Sequence, residues 1–269
     1  MNRKIGTRQN SPLSVLYIAL VLVLMYLPIL VVVAYSFNDT KLFHWAGFTT
    51  DWYVKLFRNR TIITAFWNSL KLALFSSFSA CVLGTMGAVG MSKRHFRTKG
   101  LLENLAIVPI MVPEIILGMA YLAFFSLLKL PFGMLTLVIA HTTFCVPYIY
   151  INVKAALTNM DPSIVEAALD LGATPGRAFF DITAPIILPA ILSGTLLAFA
   201  MSMDDVVISF FATGAETSTL PLQVYSMLKM GVTPEINALC TVMLGTVFLI
   251  VALSSLVKAR RDRSRRNAR

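Results

Sequence analysis

Long apolar runs separated by short polar stretches dominate the chain. A bilayer-spanning helix needs roughly 20 mostly apolar residues. Runs of that kind lie at about Leu13–Phe37, Trp67–Met91, Leu105–Leu128, Gly133–Val153, Pro185–Ser209 and Asn237–Val257. They predict an all-α integral membrane protein with six transmembrane helices in a single transmembrane domain over residues 1–269. The first run follows a basic start, as a signal peptide would. It is too long for a typical signal-peptide core, so it reads as an uncleaved span. Before the last run, Thr233-Pro234-Glu235 offers a hydroxyl cap, a proline at the first helical position and an acid facing the helix dipole.

Composition agrees with that pattern. The chain is 57% hydrophobic and 13% charged, with mean hydropathy +0.75. A soluble domain is nearer half apolar and about a quarter charged. Lys and Arg total 23 against 13 Asp and Glu, and position gives this excess its meaning. Arg3, Lys4 and Arg8, then Lys93, Arg94, Arg97 and Lys99, then Lys154 and Arg177, then Lys258, Arg260, Arg261, Arg263, Arg265, Arg266 and Arg269 all fall on one side of a six-span arrangement. Basic residues in short loops mark the cytoplasmic side, so both termini are expected there. The basic tail, 258–269, reads as an orientation signal in contact with lipid headgroups, not as a nucleic-acid site. Cys81, Cys145 and Cys240 stand far apart in apolar runs and read as small hydrophobes.

The connections differ in character. On the outer side, "DWYVKLF" carries Trp52 and Tyr53, which suit the membrane–water interface, and predicts a short surface helix. "LPLQVYSMLKMG" is amphipathic and is a candidate for a segment dipping back toward the membrane. On the cytoplasmic side, about 154–184 is long for a connection. Asp161 with Pro162 can start one short helix, Gly172 can end it, and Thr174-Pro175 can start a second before Pro185 opens the fifth span. A helix–glycine–helix unit with exposed apolar side chains suits docking; an amphipathic linker on the bilayer is the alternative.

Acids inside the apolar runs carry the candidate chemistry. Mid-bilayer, a carboxylate costs about 2.5–3.5 kcal/mol on insertion scales and usually marks a pathway or a partner. Asp204 and Asp205 adjoin in "SMDDVVISFF". Helical spacing groups Asp205 with Ser202 and Ser209 on a small polar face, so Asp205 is expected to line a path and Asp204 to hydrogen-bond a neighbouring subunit or helix. Glu114, beside Pro109 and Pro113, is expected at mid-span in the third helix, and His141 as a hydrogen-bonded packing residue. Tyr148, with Tyr121 and Tyr150, can supply aromatic faces for a cation. Acids without matching lysines in the spans imply a cationic cargo. No phosphate-binding loop, G-x-S-x-G or H-E-x-x-H pattern occurs, so no catalytic or metal-ligating set is expected. "GTMGAVGMSK" is glycine-rich in the way of close helix packing.

"EAALDLGATPGRAFFDITAP" resembles the EAA loop of ABC-importer permeases. Glu166, Ala167, Ala168, Gly172, Ile182 and Pro185 match its spacing, and Ala184 stands where leucine is usual. The resemblance implies a coupling helix that seats in a cytoplasmic ATPase, with Glu166 as polar anchor. "YLPILVVVAYSFN", "HTTFCVPY", "SMDDVVISFF" and "GVTPEINAL" extend it over nearly the whole chain to the second permease subunit of spermidine/putrescine-type ABC importers. That implies polyamine uptake across a bacterial inner membrane and three partners: a homologous second permease, a dimeric ATPase that holds ATP and magnesium, and an external polyamine-binding protein. Other small cations or metal ions are the alternative cargo, and a cation-coupled secondary transporter is the competing class.

Overall fold

The computed structural model describes residues 12–40, 44–92 and 97–267. Arg3, Lys4, Arg8, Lys93, Arg94 and Arg269 lie outside the described residues, as do the side chains of Lys258, Arg260, Arg261, Arg263, Arg265 and Arg266. Apart from an isolated bridge between Asn38 and Phe48, the regular structure among the described residues is helical. The contacts separate into two compact units, one reaching Arg60 and resuming at Met227, the other Thr61–Ser226.

The first unit holds α1 (Pro12–Tyr35), α2 (Asp51–Arg58) and α12 (Pro234–Asn267). Side chains of α1 are apolar and exposed on nearly every face, as suits a helix in contact with lipid. The short helix expected at "DWYVKLF" is present, but Trp52 is not an interface anchor. It is buried, and its Nε1 donates to the Asn38 carbonyl at 2.8 Å. Asn38 in turn folds its own loop, donating to the His44 carbonyl and accepting from Ala46 N–H. The indole N–H finds a backbone acceptor next to it, which outweighs the interfacial preference. Helix α12 begins at Pro234 as expected, but the Thr233 hydroxyl makes no capping bond. Glu235 accepts from Asn59 Nδ2 at 2.9 Å instead.

The second unit is built around α6 (Met134–Asn159). With it are α3 (Arg60–Ser92), α4 (Lys99–Met111), α5 (Glu114–Leu127), α7 (Pro162–Asp170), α8 (Pro175–Ala178), α9 (Ala184–Asp204), α10 (Val207–Ala212) and the start of α11 (Leu220–Lys229). Glycines let α3 and α9 approach α6. A Cβ at Gly84 would come within 3.0 Å of Ile149 Cβ, and one at Gly194 within 3.0 Å of Ile149 Cα. Leu72, Phe125, Leu137, Ile149, Ile187 and Ile208 fill the core between these helices. Helix α11 is fixed to α3 at its start, where Leu220 N–H donates to Ser69 Oγ at 2.7 Å.

The six expected runs resolve unevenly. Leu13–Tyr35, Arg60–Ser92, Met134–Asn159 and Pro175–Asp204 are each long and apolar enough to cross a membrane. The expected third span is two helices, α4 and α5, bent by 106°. Pro113 has no N–H to continue α4, and it forces Val112 into an extended conformation (φ −81°, ψ 131°). The sixth run lies within α12, most of whose side chains beyond Leu249 are outside the described residues. Pro185 does not open a new helix. The chain runs from α8 through a π turn at Phe179–Thr183 into α9, and Ala184 N–H reaches the Phe179 carbonyl five residues back. The wider turn absorbs the donor that Pro185 lacks. The spans also hold a basic residue that the charge argument passed over: Lys71, on an exposed face of α3.

Candidate functional site: an acidic cleft and an exposed short helix

The fifth run breaks where its two carboxylates stand. Asp205 is extended (φ −67°, ψ 128°), ending α9. Its Oδ1 accepts from Ile208 N–H at 3.1 Å and its Oδ2 from Ser209 N–H at 2.7 Å, which satisfies the first donors of α10. Asp205 is 8% exposed. Its Oδ2 lies 3.4 Å from Nε2 of His141, a residue of α6 with no exposed surface. The same ring nitrogen is 3.2 Å from Ser209 Oγ, and Nδ1 is 2.9 Å from Ser202 Oγ. Ser202 also pairs with Ser76 Oγ of α3 at 2.9 Å. Ser202, Asp205 and Ser209 thus converge as their spacing suggested, but around a histidine and across a helix break.

Asp204, the last residue of α9, is exposed. The inter-helix bonding expected of Asp204 falls to Asp205. Both border an open cleft of about 200 Å³ with Glu114, Phe144, Met201, Val206 and Val207. Glu114 opens α5 directly after the bend in the third run, where its charge favours the helix dipole. The cleft wall therefore carries three carboxylates and no basic side chain. Tyr148 does not border it. It stands one turn along α6 and packs edge-on against Phe144, with ring centroids 5.6 Å apart. Tyr150 lies elsewhere: its hydroxyl donates to Met91 Sδ and its ring faces Lys154.

A second cluster marks the other end of α6. Glu103 of α4 pairs with Lys154 at 3.0 Å and meets Lys99 at 4.0 Å. The groove between them, about 330 Å³, reaches Pro162 at the start of α7. The sequence reading missed Glu103, Ser76 and Thr136. Each is a polar residue in or beside an apolar run, a signal that the hydropathy pattern hides.

Helix α7 is the expected coupling segment, and nothing in it is buried. Asp161 caps it, accepting from Ser163 N–H at 3.0 Å. That backbone bond, with a second from the Ser163 side chain, holds the Asp161 carboxyl below the usual carboxylate range. Gly172 ends the helix with φ +87°, and Thr174 Oγ1 caps α8. Glu166 and Ala167 are exposed, Ala168 half-buried, Ile182 half-buried in the π turn and Pro185 exposed. Leu171 is 89% and Phe180 72% exposed beside them.

Known proteins share this architecture and sequence. Residues 80–267 match the family described as binding-protein-dependent transport system inner membrane component. The chain is 40% identical to the putrescine transport system permease protein PotI of Escherichia coli, over 95% of this chain and 94% of that protein. It is 38% identical to the spermidine/putrescine transport system permease protein PotC of the same organism, over 90% and 92%. Among solved structures, a chain of a bacterial ABC transporter involved in the import of the acidic polysaccharide alginate superposes with a TM-score of 0.70. That match has 14% identity and covers 95% of this chain and 99% of the other. A chain of the inward-facing MetNI methionine ABC transporter gives 0.60 at 18% identity, covering 78% and 98%. The fold is that of ABC-transporter membrane subunits, and the chain belongs to the family of binding-protein-dependent transport system inner membrane components.

Proposed function

We propose that this chain is the permease subunit through which an ATP-driven importer moves polyamines of the putrescine and spermidine class into a bacterial cell. The observation that carries the reading is the cleft wall: Glu114, Asp204 and Asp205 with Phe144, and no basic group. An alkylammonium gains Coulomb attraction from such a wall, and its methylenes meet Phe144 and Met201. The curated relatives named above, which carry such cargo, support the choice of substrate. The Ser209 N–H donates to Asp205 from behind, Ser202 and Ser209 hold the His141 ring beside it, and Tyr148 backs Phe144.

Helix α7 supplies the coupling. Only Met160 and Asp161 separate it from α6, and its exposed apolar neighbours are ready for burial against a partner. Fully burying a side chain such as Leu171 or Phe180 contributes about 1.5–3 kcal/mol. In this reading Glu166 anchors α7 to a cytoplasmic ATPase dimer, Ala167 and Ala168 permit close approach, and Gly172, Ile182 and Pro185 shape the unit. ATP and magnesium belong to that partner. A second permease completes the path, an external binding protein delivers the polyamine, and both termini face the cytoplasm.

Uptake of labelled putrescine and spermidine tests the proposal in cells lacking other polyamine importers, with the whole complex expressed. Wild type accumulates both. Glu166→Ala assembles but does not transport, and Asp204→Asn raises the KM. A wild-type complex that moves neither polyamine refutes the cargo, and normal transport by Glu166→Ala refutes the coupling role.

A further inference from the structure

Helix α10 has six residues, too short to hold its own direction. Its orientation comes from α6. At one end His141 meets Asp205 and Ser209; at the other, Thr136 Oγ1 donates to the Ala212 carbonyl at 2.8 Å. The histidine also reaches back across the break, because Nδ1 bonds Ser202 in α9 while Nε2 faces α10. One buried ring therefore holds both sides of the bend. A third contact sets α10 against α5, where a Cβ on Gly118 would come within 2.5 Å of Phe211 Cδ2. Gly118 is one turn beyond Glu114, and Asp204 is the last residue before the bend. Helix α10 thus packs on the helix that opens with Glu114 and follows directly on Asp204 and Asp205.

We infer that His141 is a positioning residue for the acidic cleft: by clasping α9 and α10 across their break it sets the separation of Glu114 and Asp204, and with it the length of polyamine the cleft accepts. His141 itself does not border the cleft, so its action runs through Asp205, Ser202 and Ser209. The inference rests on the polyamine reading for its substrate consequence and on the hydrogen bonds alone for its structural one.

Two measurements on the assembled complex in lipid test it. The first is KM and maximal rate for putrescine and for spermidine with wild type, His141→Asn, His141→Gln and Ser202→Ala. An asparagine amide can replace Nδ1 and a glutamine amide can replace Nε2. Since Nε2 holds the Asp205 side, His141→Gln keeps most of the wild-type behaviour. His141→Asn raises KM by about tenfold, unequally for the two substrates, with a smaller change in maximal rate. Ser202→Ala shifts KM in the same direction by less and keeps the test alive if the histidine variants fail to assemble. Unchanged KM values, or equal losses in rate for both substrates without a KM change, overturn the inference. The second measurement needs no cargo: the distance between spin labels at Leu196→Cys and Phe210→Cys, with the native cysteines replaced. It is narrow with His141, broad with His141→Asn and intermediate with His141→Gln. A distribution indifferent to residue 141 overturns the clasp even where polyamine transport holds. A wild-type complex that transports no polyamine yet shows the broadening overturns only the choice of cargo.

Discussion

The two broken helices bring acids to the same cleft by opposite means. Between α4 and α5 the break is covalent: Pro113 lacks the N–H that would continue the helix, and Val112 is forced to extend. Between α9 and α10 the sequence is Asp-Asp-Val-Val-Ile-Ser, without proline or glycine. There a carboxylate takes two backbone donors and a histidine from another helix holds it in place. The first break persists wherever the segment is helical. The second is capped locally but clasped by α6, which makes it the one that a neighbouring helix can adjust.

Removing the side chains that hold the second break gives the largest effect. Asp205→Ala leaves the first N–H groups of α10 without their acceptor and removes one partner of the His141 ring, at a cost of about 1–3 kcal/mol. The Tm of the assembled complex falls and polyamine affinity falls with it; a complex with wild-type Tm and KM would put the break under other control. Gly118→Ala is next. The added methyl meets Phe211, and such overpacking costs about 1–3 kcal/mol unless the ring swings away. Uptake and cross-linking of α5 to α10 read the displacement. Pro113→Ala is milder, because the bend is also held by the packing of α5 against α10: transport drops by less than for Asp205→Ala, and an equal drop would erase the contrast between the two breaks. The smallest effect concerns pH at α7. The Asp161 carboxyl is held low, so its cap is complete above the ordinary carboxylate range and is lost as pH falls through the lowered value. Backbone amide exchange at the start of α7 therefore quickens only below the ordinary carboxylate range in wild type, and less so in Asp161→Asn, whose side chain caps without titrating.

What the sequence made legible follows the same division. Apolar run length located the spans, and Asp161, Gly172 and Thr174 announced their own caps because each acts within three residues of itself. The π turn was hidden, since Pro185 after a threonine–proline start reads as a fresh helix. The bend at Pro113 was visible as a proline but was averaged into one apolar window. The break at Asp205 was harder still. Its cap is local, but its clasp joins residues 61 to 68 positions apart, and periodicity cannot report that. Trp52 was misplaced for the same reason: its Nε1–H partner, the Asn38 carbonyl, lies across a turn that the hydropathy pattern does not show.

The glycine contacts on α6 have a mechanical meaning. Gly84 from α3 and Gly194 from α9 both press against Ile149, pinching α6 at one level. Asn159, where α6 hands over to α7, lies ten residues to one side of Ile149, and His141 lies eight to the other. Those arms are about 15 and 12 Å long. If α6 tilts about that pinch as a seesaw about its fulcrum, a 1 Å push at the α7 end returns about 0.8 Å at His141 in the opposite sense. A closing stroke at the coupling helix would then arrive at the cleft as an opening one.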